Sequence, residues 1–519
     1  MHLAIIGAGA AAVGLLDALA AGEAEGAEVT VFEPGTNLWR GRAYGPDLDS
    51  VLVNAPPAIM SIRGSDSGHY AAWLGPERAA DHLDELLGQP LVPRALYGEY
   101  LAETAETALA RLRARGWRTR VVTSRVIAAS RTGGGPPVVL RTADGREHLA
   151  DQVVVCVGVG TPQDHYGLGG APGYVGDPYP LADTLAGVPG EAAVAVIGSG
   201  LTAVDVVVSL AARGHAGRIA LVSRSGLLPA VWQRPLGHQR RHLTIERVEA
   251  LRRERGTVTL DDLAGLLRAE LEEAGEDYAA FTGELLPAQF EPPAERLRQK
   301  SPAEQLRRES PAERLRRQLA AVGEPAIARR VLQEAAHVVG PFAWRLLPEQ
   351  DRERLRRHAR LATAVASPMV PVNAAALLRL FASGQLSVLA GVSKIEAAAD
   401  GGFRVRGDGG DLRVDVAVNA VNAPPQAVPG AAEPLVTTLI EEGLAALHPS
   451  GGLVPADPRL HVLGGPGRRR VVHHLQHPRP RRPGRPPRRR AERLRVPGGG
   501  GAPYRRQGVA FMAPATGRR

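Results

Sequence analysis

Small residues follow a short apolar strand near the start of this 519-residue chain at a spacing that suits a dinucleotide. Gly7, Gly9 and Ala12 form the pattern G-x-G-x-x-A after "LAII", and Gly14 lies in the helix that they open. Gly7 permits a tight turn, Gly9 allows the backbone to approach a pyrophosphate, and Ala12 allows helix and strand to pack closely. The next strand, "EVTVFEP", ends in Glu33, whose carboxylate could bind both hydroxyls of an adenosine ribose. These residues together predict a dinucleotide-binding unit.

A second copy of the pattern lies in "AAVAVIGSGLTAVDVVVSLAARG", where Gly198, Gly200 and Ala203 have the same spacing. The strand that follows, "RIALVSRSG", ends without an acid and offers Ser223 and Arg224 instead. A hydroxyl and a guanidinium suit the 2′-phosphate of NADP, which an acid would repel. The two units predict two bound dinucleotides, and NADPH is favoured at the second. The alternative interpretation of Arg224 is an ordinary arginine in a surface loop.

The elements that position these residues are strands and helices in alternation. Each glycine pattern stands between a buried strand and an apolar helix, and "VVVCVGVGTP" adds a further strand that leads into Gly158. This order predicts an α/β fold with two Rossmann-type dinucleotide-binding domains. Cys156, the single cysteine, is expected to be a buried thiol in a core strand, and it excludes internal disulfides and paired-cysteine metal sites.

Three longer segments carry a family resemblance: "GRAYGPDLDSVLVNAPPAIMSI" (41–62), "VPRALYGEYL" (92–101) and "GSGLTAVD" (198–205). With the two glycine patterns, they resemble the bacterial FAD/NAD(P)-binding oxidoreductases. That family consists of two-dinucleotide-binding-domain flavoproteins related to the class B flavin monooxygenases. The resemblance extends over residues 1–466 and implies FAD at the first unit and NADPH at the second.

The resemblance also assigns matching positions of this sequence to the two cofactors. The FAD side comprises the glycine turn, the ribose carboxylate, the loop along the flavin, a backbone contact to adenine and a later turn: Gly7, Gly9, Ala10, Ala11, Ala12, Gly14, Glu33, Arg42, Asn54, Met60, Ser61, Val126 and Gly158. The NADPH side comprises the pyrophosphate cradle and the 2′-phosphate contact: Gly198, Ser199, Gly200, Thr202, Ser223 and Arg224. For the loop residues of the FAD side, an ordinary polar loop is the alternative.

The sequence departs from this family at three places. "YGLGGAPGYVGDPYP" replaces the F-x-G-x-x-x-H fingerprint of the Baeyer-Villiger members and lacks its histidine, which disfavours ketone oxygenation. In "VAVNAVNAPP", Asn422 stands where relatives have a glycine, and asparagine tolerates positive φ better than most residues. "HVLGGPG" stands where relatives have the G-D pair that meets the flavin, which puts tight FAD binding in question.

The activity implied by the resemblance is oxygen transfer. NADPH would reduce the flavin, O2 would react with it, and a flavin C4a-hydroperoxide would transfer one oxygen atom to a small nitrogen or sulfur nucleophile such as an amino acid. Tyr97 and His165 are candidates for an acid or base, with a structural role as the alternative, so the catalytic residues stay unassigned. A flavin reductase or dehydrogenase without oxygen insertion is the second hypothesis. A protein that binds nucleic acid through its C-terminal arginines is the third.

The patterns divide the chain into five parts. The first part of the FAD-binding domain is expected at 1–165, the core of the NADPH-binding domain at 188–235, a helical insertion at 236–360, a return to the FAD-binding domain at 361–466, and a disordered basic tail at 467–519.

Helix starts are the main signal within the helical insertion. Thr259 and Asp262 form a capping-box pattern, and "PPAERLRQK", "SPAEQLRRE" and "SPAERLRRQ" repeat with a period of nine. We interpret the repeat as a small duplication in a solvated, charged segment, with a partner-binding surface as the alternative.

Arginines at the C-terminus account for the formal net charge of +9. Residues 467–519 contain 16 arginines and one acid, a charge of +15, which leaves −6 on residues 1–466. A mildly acidic body disfavours nucleic acid as its partner. A one-base shift of codons allowed for "VVHHLQHPR" encodes "SFTTSNTL", which resembles the C-terminal region of the flavoprotein relatives. We therefore hypothesise a frameshift after Gly467 that replaced the native end of the FAD domain.

Other chemistries find little support in the sequence. No metal-ligand spacing, paired carboxylates or G-x-S-x-G elbow is present. The apolar N-terminus has no preceding Lys or Arg and is interrupted by Asp17, so we do not interpret it as a signal peptide. We expect a soluble, cytoplasmic enzyme that uses a small substrate and O2, with no membrane partner and an unspecified oligomeric state.

Overall fold

The structure, a computed structural model, describes residues 1–23, 27–64, 66–132, 135–158, 160–285, 309–423, 427–447 and 452–462. Its strands, in chain order, are β1 (His2–Ile6), β2 (Glu28–Phe32), β3 (Leu83–Asp84), β4 (Gln89–Pro90), β5 (Arg118–Val122), β6 (Val126–Thr132), β7 (Gly135–Thr142), β8 (Glu147–Ala150), β9 (Gln152–Val155), β10 (Tyr174–Val175), β11 (Val194–Ile197), β12 (Ile219–Val222), β13 (Leu386–Leu389), β14 (Lys394–Ala397), β15 (Phe403–Gly407), β16 (Gly410–Val414), β17 (Val416–Asn419), β18 (Ala445–Leu447), β19 (Leu453–Pro455) and β20 (Leu460–Val462).

The α-helices, in chain order, are α1 (Ala10–Ala21), α2 (Pro57–Met60), α3 (His69–Asp81), α4 (Arg94–Ala114), α5 (Leu181–Thr184), α6 (Leu201–Ala212), α7 (Ile245–Arg255), α8 (Leu260–Glu273), α9 (Tyr278–Leu285), α10 (Pro311–Ala320), α11 (Ala328–Val338), α12 (Gly340–Leu346), α13 (Glu349–Arg357), α14 (Ala359–Ala366), α15 (Pro371–Ala382) and α16 (Glu433–Glu441). Single 3₁₀ turns lie at Ala321–Gly323 and Gly430–Ala432. None of the helices in the described part of the chain is long and apolar enough to cross a membrane.

The first parallel sheet has the strand order β20-β9-β1-β2-β5, with β1 at its centre. Alternate residues of β1 face opposite layers of the domain. Leu3 and Ile5 join the core beneath α1 and α4, while Ala4 and Ile6 join the core against α16 and the antiparallel sheet β6-β7-β8. Because both faces are covered, the strand is apolar from Leu3 to Ile6, as parallel strands usually are. Burial of a side chain such as Leu3 contributes about 1.5–3 kcal/mol.

The second parallel sheet repeats this design with the order β10-β17-β11-β12-β13, centred on β11. Val194 and Val196 face the core beneath α6 and α15. Ala195 and Ile197 face the antiparallel sheet β14-β15-β16. The predicted α/β class with two Rossmann-type units is therefore confirmed.

Strand pairing corrects one predicted boundary. We expected residues 361–466 to return to the first domain, but β13 and β17 pair with β12 and β11 of the second sheet. Only the later part of that range, with α16 and β20, joins the first sheet. The apolar runs "LSVL" and "VAVN" suit any parallel sheet, so their local pattern did not specify a partner.

Helices α7, α8, α9, α11 and α12 form a group with a core of its own, which includes Val248, Val258, Leu271 and Val331. Helix α10 instead contributes Leu315 to the core of the second sheet. The predicted capping box begins α8, where the Thr259 hydroxyl accepts from the Asp262 N–H at 3.1 Å and the Asp262 carboxylate accepts from the Thr259 N–H at 2.9 Å.

The last of the three nine-residue repeats begins α10 with a capping box between Ser310 and Glu313. The first repeat and nearly all of the second lie outside the described residues, as does the whole arginine-rich segment 467–519. The predictions of disorder, frameshift and nucleic-acid binding for that segment therefore remain predictions.

Glu270 of α8 binds the segment that precedes α7 through hydrogen bonds. The carboxylate, 2% exposed, accepts hydrogen bonds from three successive backbone N–H groups: Arg241 at 3.0 Å, His242 at 2.7 Å and Leu243 at 3.0 Å. His238 Nε2 lies 2.9 Å from the same carboxylate. Burial alone would raise the pKa of Glu270, but these hydrogen bonds lower it to about 2.

We expect Glu270→Gln to lower the free energy of unfolding at pH 7 by about 3 kcal/mol, since one pKa unit corresponds to about 1.4 kcal/mol. Because the folded-state pKa lies below the ordinary value of 4.5, the contribution is complete above pH 4.5 and is lost as the pH falls toward 2. Urea unfolding at pH 7 and pH 3 measures the loss of stability and its dependence on pH. Glu273→Gln, in the same helix but exposed, is the control and should change stability far less. Equal losses at the two pH values would contradict the assignment.

Candidate dinucleotide-binding sites

The first glycine turn joins β1 to α1 with very little space around its backbone. Gly7 has φ +99°, and a Cβ there would lie 2.4 Å from the carbonyl oxygen of Cys156, so no other residue fits without movement. Gly9 precedes α1, and a Cβ on it would meet the Cα of Gly41 at 3.6 Å. The predicted turn therefore has the geometry that its spacing indicated, and Gly41 is a third glycine of the site that the motif did not identify. Cys156 is buried directly after β9.

Helix α1 begins at the first of the predicted small residues. Ala12 and Gly14 are buried in its packing face, while Ala10 and Ala11 in its first turn are only partly buried. Small side chains at the start of the helix leave its N-terminal N–H groups accessible to an anion. The arrangement supports the predicted pyrophosphate contacts at Gly9, Ala10 and Ala11.

Glu33 is held beside the glycine turn by two backbone donors. Its Oε2 accepts from the Ala8 N–H at 3.0 Å, and its Oε1 accepts from the Gly35 N–H at 2.9 Å. The Gly7 N–H donates to the Phe32 carbonyl at 2.8 Å, which joins the ends of β1 and β2. The structure thus places the predicted ribose carboxylate next to the predicted pyrophosphate turn.

The loop predicted to follow the flavin is anchored by its own side chains. Arg42 forms an ion pair with Asp177. The Ser61 hydroxyl donates to the Asp66 carbonyl at 2.5 Å, and the Met60 carbonyl accepts from the Tyr97 hydroxyl at 2.7 Å. The polar groups of Arg42 and Ser61 are engaged within the protein, so their predicted flavin contacts remain predictions.

The two acid–base candidates, Tyr97 and His165, lie in different surroundings. Tyr97 is buried, and its ring packs against Tyr44, Tyr70 and Tyr100, which favours the structural alternative. His165 is exposed in the segment after β9.

Asn54 contributes a polar atom that the described part of the protein leaves unsatisfied. Its Oδ1 is buried and has no hydrogen-bond partner among the described residues, while its carbonyl accepts from Trp232 Nε1 at 2.8 Å. The indole of Trp232 in turn stacks on His337 of α11, with ring centroids 6.5 Å apart. A buried acceptor without a donor is costly, and a bound ligand could supply the donor. Asn54 therefore fits its predicted position at a ligand better than the other loop residues do.

Two further predicted residues lie at strand ends of the first domain. Val126 is buried at the start of β6, next to an irregularity in the pairing with β7. Gly158 follows β9 with φ +77°, which only glycine adopts readily. These positions do not test the predicted contacts of Val126 and Gly158 with a nucleotide, which stay predictions.

The second glycine turn joins β11 to α6 in the same way as the first. Gly198 has φ +119°, and a Cβ there would lie 3.1 Å from the Ala420 carbonyl oxygen. Gly200 precedes α6. The Thr202 hydroxyl donates to Asn422 Oδ1 at 3.1 Å, so Asn422 supports the turn through its side chain. Among the described non-glycine residues only Trp39 has positive φ, so the tolerance expected of Asn422 is not used.

The hydroxyl groups of the second site face inward. Ser199 is fully buried, and its hydroxyl donates to the Leu227 carbonyl at 2.8 Å, while its Oγ lies 3.1 Å from Ser223 Oγ. Ser223 Oγ also accepts from the Gly226 N–H at 3.0 Å. These side chains shape the turn after β12, which leaves the Ser199 backbone for a phosphate contact. Arg224 is exposed beside them.

A buried ion pair joins the two domains, and the glycine motifs gave no sign of it. Arg94, in the first turn of α4, donates to Asp205 of α6 at 2.6 Å and to the Tyr179 hydroxyl at 2.9 Å. Asp205 is fully buried and also accepts from the Tyr179 hydroxyl. Burial alone would lower the pKa of Arg94, but the charge of Asp205 raises it. Both partners lie in segments quoted above, "VPRALYGEYL" and "GSGLTAVD".

Residues 4–160 match the protein family described as FAD-NAD(P)-binding. The matched segment contains the first glycine turn, Glu33 and β9, and the match confirms the predicted resemblance. No curated protein matches the chain.

Solved structures of several flavoenzymes are similar to this chain. The FAD-bound cadaverine monooxygenase DfoA of the Erwinia amylovora desferrioxamine pathway has 12% identity and a TM-score of 0.50, covering 92% of this chain and 91% of its own. Kutzneria sp. 744 ornithine N-hydroxylase has 15% identity and a TM-score of 0.49, covering 89% and 92%. Pseudomonas syringae L-lysine 6-monooxygenase has 16% identity and a TM-score of 0.47, covering 90% and 92%. At these identities the similarity concerns the fold, and that to DfoA agrees with two dinucleotide-binding domains.

Replacement of Arg94 by methionine should lower the free energy of unfolding by about 3–5 kcal/mol, because it leaves the Asp205 carboxylate buried without a cation. The double variant Arg94→Met/Asp205→Leu should recover part of that loss. Urea unfolding measures each variant. Arg118→Met removes an exposed pair with Glu28 and is the control that should have little effect. If the single and double variants are equally destabilised, the two charges are not coupled.

Replacement of Glu33 by alanine should weaken FAD binding by about tenfold or more, since hydrogen bonds to charged groups contribute about 1.5–3 kcal/mol. Fluorescence titration of the deflavinated protein with FAD measures the affinity. Glu28→Ala, at the other end of β2, is the matched control and should bind as the wild type does. Unchanged affinity in Glu33→Ala would remove the carboxylate from the ribose site.

Proposed function

We propose that this protein is an FAD- and NADPH-dependent monooxygenase that transfers one oxygen atom to a small nitrogen or sulfur nucleophile such as an amino acid. The observation that carries the proposal is the pair of equivalent glycine turns, each at the carboxyl end of the central strand of a parallel sheet. Such turns are where dinucleotides bind in this class of fold. A carboxylate, Glu33, accompanies the first turn and an arginine, Arg224, the second, so the two sites suit different nucleotides.

The residues of the first site fit FAD. Gly7 and Gly9 bring bare backbone to the start of α1, Glu33 offers carboxylate oxygens beside it, and Asn54 holds a buried acceptor without a donor. When bound, the flavin supplies the redox and oxygen-activating chemistry. The protein's part is to bind and orient the cofactor and to keep water from the reacting atoms, to which the buried Trp232 beside Asn54 contributes.

The residues of the second site fit NADPH better than NADH. Ser199 and Ser223 fix the turn after β12, and Arg224 stands exposed at its tip with no carboxylate in its place. A positive charge there would attract the 2′-phosphate that distinguishes NADP from NAD.

The nature of the substrate is the least constrained part of the proposal. DfoA acts on cadaverine, an amine, and shares this architecture over most of both chains. A small amine or amino acid is therefore the substrate class to test first. The single cysteine, buried and reduced, supports a cytoplasmic location. A reductase or dehydrogenase without oxygen insertion is the alternative.

We expect the purified protein to be yellow, to oxidise NADPH faster than NADH, and to consume NADPH and O2 in equal amounts with an amine substrate. The measurements are the visible spectrum, NADPH oxidation over a panel of amines, amino acids and sulfides, and mass spectrometry of the product for one added oxygen.

Hydrogen peroxide release distinguishes the two enzyme hypotheses. Peroxide equal to the NADPH consumed with every substrate would favour the reductase or dehydrogenase. Peroxide that falls as an oxygenated product accumulates would favour the monooxygenase. A protein that binds no flavin even when FAD is added would contradict both.

A further inference from the structure

Arg360 reaches the second glycine turn from a distant part of the chain. It is the second residue of α14, beyond the helices of residues 245–357, and no motif of the second dinucleotide unit includes it. Its Nη2 lies 3.3 Å from Ser199 Oγ, within hydrogen-bond distance. Ser199 is itself bonded to Ser223, the neighbour of Arg224. A guanidinium from the helical part of the molecule is thus placed at the glycine turn, next to the turn after β12 that carries Arg224.

Neither arginine is neutralised by the described part of the protein. Within the described residues, Arg224 and Arg360 form no ion pair with an acid, whereas Arg94, Arg354 and Arg459 do. Both side chains remain exposed to solvent, so a ligand could approach them. Two accessible cations at neighbouring turns, linked through Ser199 and Ser223, form a site that favours an anion.

The two charges also affect each other. Protein atoms around the guanidinium of Arg360 lower its pKa by desolvation even though much of the side chain is exposed, and the charge of Arg224 lowers it further. Repulsion between like charges at a shared site is relieved when an anion binds between them. The free protein therefore holds an unfavourable arrangement that a suitable ligand would stabilise.

We propose that Arg360 is a second cation for the 2′-phosphate of NADPH and that it sets the preference of this site for phosphorylated nucleotides together with Arg224. The inference rests on the proposed function of the second glycine turn. A phosphate monoester is nearly a dianion at neutral pH, which suits two guanidinium groups. The pyrophosphate is expected at the backbone of Gly198 to Thr202, where α6 begins.

The role proposed for Arg360 also accounts for the inward orientation of two serine side chains at the turn. Ser199 and Ser223, which point inward, position Arg360 and the backbone of the turn rather than contacting phosphate themselves. Arg360 is thus a specificity-determining residue contributed by the helical part, and it connects that part to the nucleotide.

The test is the binding of two fragments of the nucleotide, measured by isothermal titration calorimetry on the full-length flavoprotein. Adenosine 2′,5′-bisphosphate carries the 2′-phosphate, and 5′-AMP lacks it. We expect Arg360→Gln to weaken the bisphosphate by about tenfold and 5′-AMP by less than about twofold, which are ordinary effects for one charge-assisted contact. Arg360→Lys should fall between, because it keeps the charge and loses the planar fork.

Controls separate this inference from a structural effect and from the proposed function. Arg357→Gln removes the same charge three residues away in an exposed position of α13 and should leave both affinities unchanged. Equal weakening of the two fragments by Arg360→Gln, or no weakening of either, overturns the inference. If the wild-type protein binds the bisphosphate no more tightly than 5′-AMP, the proposed NADPH site fails as well. If that preference exists and Arg224→Gln alone abolishes it, with Arg360→Gln unchanged, only the role of Arg360 is lost.

Discussion

The buried ion pair between Arg94 and Asp205 is the constraint on which the arrangement of the two dinucleotide units depends. Arg94 also donates to the Leu52 carbonyl at 3.0 Å, two residues before Asn54. A single guanidinium therefore joins the loop of the first site to the first turns of the helix that opens the second. Charges that leave water require a partner in a defined geometry. The pair consequently fixes how the two cofactor sites face each other while each domain keeps a core of its own.

The two domains have the same arrangement of packed layers. In each, a parallel sheet has helices on one face and a three-stranded antiparallel sheet on the other, and a glycine turn stands at the end of the central strand. Hydride transfer between two cofactors needs both to be bound and mutually oriented. In the proposed function, each of the duplicate units would bind one cofactor, and the contacts of Arg94, Asp177 and Trp232 between the units would orient the two cofactors.

Local patterns were sufficient for the residues whose role depends on the backbone around them. Gly7, Gly198 and Glu33 lie where their spacing predicted, because a turn between strand and helix is a short-range structure. The assignment of 361–466 was wrong in its earlier part, because an apolar strand does not encode which sheet it joins. Arg360 and the Arg94–Asp205 pair were beyond local reasoning, since their partners are far away in sequence. The hydroxyl of Ser223 was expected to face the 2′-phosphate, and only the three-dimensional structure shows that it faces inward.

Strand β20 is the last described strand of the first sheet, and its Val462 pairs with Val155. All strands that the described residues contribute to the two parallel sheets are therefore encoded before Gly467, the position after which we hypothesise a changed reading frame. A gene altered there would still encode all of these strands. β20 runs parallel to β9 and β1, so its carboxyl end lies on the side of the sheet where the first glycine turn follows β1. We therefore expect a lesion at that position to affect the flavin content of the protein more than the pairing of these strands.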